Sequence, residues 1–96
     1  MKAHQLYEEL KNVAERLGIT VAEHSFRATG VRARSGLCTI RRRRYFIMDK
    51  HRPVREKIEL LAEALAALDT ERIFMMPAVR SLLSRHAPPG GDGSIS

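Results

Sequence analysis

Four consecutive arginines, Arg41 to Arg44, stand between two short β-prone runs, Leu37–Ile40 and Tyr45–Met48. A row of four guanidinium groups belongs in solvent, so the chain must come to the surface here with strand-forming residues on either side. The simplest fold for such a segment is a β-hairpin. Its turn lacks the Gly, Asn or Asp that tight primed turns prefer, so either the loop is a wider one or the strands extend into the arginines. Side-chain alternation places Cys38 and Ile40 opposite Leu37 and Thr39, as in a sheet covered on one face. Tyr45 and Phe46 fall on opposite faces, and one of the two is expected in the core.

Helices are expected around this hairpin. Leu6, Leu10, Val13 and Leu17 recur at spacings of three and four, which predicts an amphipathic helix over 3–17 that Gly18 terminates. Residues 19–25 alternate weakly and read as a short strand. Residues 28–36, with Gly30, Gly36, Thr29 and Ser35 among arginines, read as a loop. Pro53 fits the first turn of a helix running to Leu68, with Val54, Ile58, Leu61, Leu65 and Leu68 as its apolar stripe. This long helix is expected at the centre of the core. Ile73–Met76 is a small strand or an extended connector, and Pro77 opens a last helix to Arg85. The tail from Ala87 is rich in Pro and Gly and is expected to be disordered.

With 96 residues there is room for one domain with a modest core. Five residues are Phe or Tyr and there is no Trp, so aliphatic side chains must fill most of that core. No run of about 18 apolar residues suggests a membrane span. The opening Met1–Gln5 leads into a mixed pattern unlike a secretory signal. Cys38, the single cysteine, reads as a buried small hydrophobe, and it allows no intramolecular disulfide. A cytoplasmic protein of bacterial type fits these features.

Residue patterns for catalysis are sparse. His4, His24, His51 and His86 lie in different elements, none at the i, i+3 or i, i+4 spacing of metal ligands on a helix. They read as surface or boundary histidines, and no metal or cofactor is expected. Gly30 and Gly36 are isolated and form no phosphate loop. Ser25, Ser35 and Ser81 lack a nucleophile-elbow context. Glu56, Glu59 and Glu63 fit a solvated helix face.

The basic middle has a stronger physical claim on a ligand. Between Phe26 and Lys57 stand eleven basic and two acidic residues, whereas the rest of the chain is mildly acidic. Arg41, Arg42, Arg43 and Arg44 at a hairpin tip could pair with phosphates or carboxylates. Arg52 and Arg55 bracket Pro53 at a helix start, where cations are mildly unfavourable unless an anion, or Asp49 and Glu56, compensates them. The plainer account is a solubilising surface that protects a sheet edge from aggregation. Nucleic acid or another polyanion is the second account, and an acidic protein partner the third. Few aromatics are available for base stacking, and no nucleic-acid-binding motif is visible.

The run Ala14-Glu15-Arg16-Leu17-Gly18-Ile19-Thr20-Val21, followed by Gly36-Leu37, Tyr45–Asp49 and the helix from Pro53 to Leu68, resembles the opening of ImmA/IrrE-type metallopeptidase domains. The resemblance covers residues 3–68. It implies a small α/β scaffold whose central helix would carry the family's His-Glu-x-x-His motif. The matching stretch here is Ala62-Glu63-Ala64-Leu65-Ala66. Glu63 would stand at the general base and Ala62 and Ala66 at the zinc-binding histidines. Alanine binds no zinc, so the resemblance implies the scaffold with its chemistry removed.

The fold expected is a single α+β domain over 1–86: an N-terminal helix, a three-stranded antiparallel or mixed sheet including a hairpin, a long central helix and a short C-terminal helix. The function expected is a non-catalytic binding or protein-interaction module. The alternatives are polyanion binding through the arginines and a degenerate metallopeptidase-like scaffold. A homodimer is expected to cover the open sheet edge and the Ala-rich helix.

Overall fold

The computed structural model describes residues 1–25 and 36–86. All but Gly36 of the loop read over 28–36, and the whole of the tail from Ala87, lie outside the described residues. The order of elements is α1 (Ala3–Arg16), β1 (Ile19–His24), β2 (Gly36–Ile40), β3 (Arg43–Asp49), α2 (Val54–Ala66) and α3 (Pro77–His86). The three strands form one mixed sheet in the order β1-β3-β2. β3 lies in the middle, parallel to β1 and antiparallel to β2. Of the two sheet types left open by the sequence, the mixed one is realised.

The elements form close to where their residue patterns place them, with bounds that differ by a few residues. α1 buries Tyr7, Leu10, Val13 and Ala14 along one stripe. It ends at Gly18, whose φ of 81° is the left-handed conformation that glycine adopts at least cost. Ile19 then turns straight into the core, with 1% exposure. In β3 the pleat sends Phe46 and Met48 inward, leaving Tyr45 and Ile47 half-buried on the other face.

α2 is central, as expected, with Leu61, Ala62 and Leu65 fully buried. It is shorter than its stripe suggested: 13 residues against 14 in α1. Pro53 is its N-cap rather than its first residue, and Leu68 lies past the C-cap at Ala67. The helices share one layer: α1 packs on α2 and β1, and α3 packs on α2 and α1. Ala14 of α1 and Ala62 of α2, both without exposed surface, belong to the core that the two helices share.

Ile73–Met76 is an extended connector. Arg16 Nη1 donates to the Phe74 carbonyl at 2.7 Å, and Arg80 Nη2 donates to the Ile73 carbonyl at 2.7 Å. Just past those anchors Met75 enters the core, while the side chain of Phe74 remains 80% exposed.

Candidate anion-binding hairpin

β2 and β3 are joined by two residues only, Arg41 and Arg42, since Ile40 pairs with Arg43. Both turn residues have positive φ, 52° at Arg41 and 70° at Arg42. Positive φ at both central positions is what a type I′ hairpin turn requires, and that turn suits the right-handed twist of the strands it joins. The sequence allowed a wide loop or strands that run into the arginines, and the strands do run in. Arg43 and Arg44 belong to β3. A left-handed backbone costs a non-glycine residue about 1–2 kcal/mol. The hairpin therefore forms because its strands and core contacts outweigh an unfavourable turn sequence.

All four arginines are exposed, and among the described residues none of them makes an ion pair. Arg42, Arg43 and Arg44 line a groove of about 450 Å³ with the end of α1 and the start of β1. Glu15 is the acid lining that groove, and it too makes no ion pair among the described residues.

Arg52 and Arg55 are elsewhere. They lie past the far end of β3, whose seven residues carry the chain about 20 Å from the turn at roughly 3.3 Å per residue. The six arginines singled out from sequence therefore do not form one site. Arg52 is already compensated: its Nη1 meets Glu56 Oε1 at 2.9 Å. The Asp49 carboxylate accepts from the backbone N–H of His51 at 3.1 Å.

The histidines remain dispersed. His51 Nε2 lies 3.1 Å from Ser25 Oγ, and His86 Nε2 lies 3.1 Å from Glu59 Oε1. Among the described residues no three His, Cys, Asp or Glu side chains stand close enough together to hold a metal. At the positions that the metallopeptidase resemblance marks, Ala62 is fully buried, Ala66 is half-buried and Glu63 is exposed. Cys38 is half-buried rather than buried, on the sheet face away from the helices.

Two features were not read from the sequence pattern. Tyr7, Glu23 and Lys57 meet between α1, β1 and α2: the Tyr7 hydroxyl donates to Glu23 Oε2 at 2.5 Å and Lys57 Nζ to Glu23 Oε1 at 2.8 Å. Burial, with help from the Glu23 contact, raises the Tyr7 phenol well above its ordinary value. Partial burial works to raise the Glu23 carboxyl as well. The hydrogen bonds from Lys57 and Tyr7 and the charges of Lys57 and Lys11 outweigh it, so the net shift is downward. The second feature is a groove of about 730 Å³ along the N-terminal part of α1, lined in part by Met1, His4, Met76 and Pro77. Its only advance signal is the apolar run ending at Met76.

Comparison of the chain with protein-family models, with curated proteins and with solved structures finds no match.

Proposed function

We propose that this domain is a non-catalytic module that binds the phosphate backbone of nucleic acid through the hairpin tip formed by Arg41, Arg42, Arg43 and Arg44. The observation that supports it is the residue choice at the turn. Asn-Gly would suit two left-handed positions far better, and arginine occupies both. A surface that served solubility alone could place its charges on unstrained strand or helix positions. Strain retained at an exposed, ion-pair-free cluster of guanidinium groups fits a ligand-binding role.

The zinc-hydrolase alternative is set aside on residue chemistry. Ala62 and Ala66 flank Glu63 without a metal-binding atom, and a glutamate without an activated water has no hydrolytic mechanism. Phosphate is the preferred partner because guanidinium groups pair with it in forked geometry. Tyr45 is half-buried and Phe46 buried, so base stacking has little to offer and backbone contacts dominate.

Titration of a labelled DNA duplex at two salt concentrations tests the reading. Neutralising four phosphates gives a slope of about −3.6 in log K against log salt. Affinity then falls roughly a hundredfold between ~50 mM and ~200 mM salt. Absence of binding at the lower concentration would remove the proposal.

A further inference from the structure

We infer that the groove between the hairpin and the end of α1 holds one unpaired guanine nucleotide of a strand, its phosphate on Arg42, Arg43 and Arg44 and the Watson–Crick edge of its base on Glu15. This rests on the nucleic-acid reading above and adds base selectivity to it.

The groove is lined by two unlike sets of groups. β3 pairs with β1 from Arg44 at Ile19 onward, and Ile19 follows α1 through Leu17 and Gly18. The register therefore brings the arginine end of the hairpin beside the end of α1. Arg44 lies on the sheet face that the helices cover, together with Phe46 and Met48. Arg42, Arg43 and Arg44 line the groove from the hairpin, and Glu15 lines it from the last turn of α1. An acid and three guanidinium groups around one groove could neutralise each other. Among the described residues, neither Glu15 nor these arginines make an ion pair. The space they border, about 450 Å³, is of the size of small-molecule sites. A ligand that suits it offers an anion to the arginines and hydrogen-bond donors to the carboxylate. A nucleotide carries both in one unit.

The acceptor decides the base. An ionised carboxylate has two acceptor oxygens and no donor. Guanine presents two adjacent donors, N1–H and N2–H, which meet those oxygens as a fork. Cytosine and adenine each set a ring-nitrogen acceptor beside their amino group, and thymine has one N–H between two carbonyls. Each of these turns a lone pair toward the carboxylate. In a duplex this edge of guanine is already paired, so the groove selects an unpaired base. Phosphate contacts position the strand, and the Glu15 contact reads it.

The intact chain is titrated at ~100 mM salt against labelled oligothymidylate strands of about eight bases, with and without one central guanine. The guanine strand is expected to bind roughly tenfold more tightly. Inosine, which lacks the N2 amino group, should bind roughly threefold less tightly than guanine at the same position. A guanine paired within a duplex should give an advantage below about twofold. Glu15→Gln should bring the guanine preference below about twofold, and Glu15 is exposed, so the change does not threaten the fold. Glu63→Gln, the same change of charge at an exposed position of α2, should retain the preference. Free guanosine monophosphate, with its single phosphate, should bind at least roughly tenfold less tightly than the strand.

Equal affinity for the two strands would overturn the guanine site while leaving phosphate binding in place. So would a preference that survives Glu15→Gln, or an equal loss of affinity for both strands in that variant. Guanosine monophosphate binding as tightly as the strand would overturn the strand as its source. Failure of every strand and duplex to bind would overturn both readings.

Discussion

The hydroxyl of Tyr7, the carboxylate of Glu23 and the ammonium of Lys57 join residues 16 and 34 positions apart and tie α1, β1 and α2 together at one point. Lys57 is the most enclosed of the charged partners, its side chain 13% exposed against 29% for Glu23. Removing the carboxylate charge leaves that ammonium partly buried with weaker acceptors. Glu23→Gln is therefore expected to destabilise the domain by about 1–2 kcal/mol, measured by urea unfolding. The pH dependence has two limbs. The folded carboxyl of Glu23 lies below the ordinary 4.5, so its contribution is complete above that pH and is lost as pH falls further. The folded phenol of Tyr7 lies above the ordinary 10.0, so its contribution is complete below pH 10 and is lost as pH rises through the folded value. Thermal melting followed across acid and alkaline pH should show both limbs, and Glu23→Gln should flatten the acid one. None of this was legible in the sequence. A contact between distant positions leaves no periodicity, and Glu23 reads simply as a polar strand residue.

At the scale of elements, the stripes of α1 and α2 were legible because helical periodicity marks a buried face directly. Leu61, on the stripe of α2, is fully buried. Leu61→Ala is expected to cost about 2–5 kcal/mol, read from the denaturation midpoint. The hairpin was legible as a hairpin but not as a turn type. Turn chemistry is inferred from Gly, Asn and Asp, and here arginines take the left-handed positions, held there by the pairing on either side. This makes an unusual combination of effects available. The double substitution Arg41→Asn with Arg42→Gly should stabilise the domain by about 1–2 kcal/mol by relieving the backbone. The same change should weaken oligonucleotide binding at least tenfold by removing two charges. Melting temperature and affinity moving in opposite directions would mark the turn as a place where stability is given up for binding. A variant that gains stability and keeps its affinity would identify the turn as a surface feature alone.

For the molecule as a whole, the basic residues of the middle segment that are described divide between two ends of the sheet, Arg41 to Arg44 at one and Arg52 and Arg55 at the other; Arg27, Arg32 and Arg34 lie outside the described residues. Charge counted along the sequence placed Arg44 near Arg52. Charge counted along an extended strand separates them, because β3 advances about 3.3 Å per residue instead of the 1.5 Å of a helix. The division was thus implicit in the strand assignment and was obscured by treating the segment as one block. At ~0.1 M salt the screening length is about 10 Å, well short of the ~20 Å between the two ends. Arg52→Gln and Arg55→Gln should accordingly leave oligonucleotide affinity within about twofold, while Arg41→Gln or Arg42→Gln lowers it.

The central claim is that the hairpin arginines neutralise phosphates, and its most direct measurement is the salt dependence of binding in the native protein and in a variant with Arg41 to Arg44 all changed to Gln. The account predicts a slope of about −3.6 in log K against log salt for the native protein, collapsing toward zero in the variant while its unfolding midpoint is retained. A slope that is the same in both proteins, or an affinity that does not respond to salt, would contradict it.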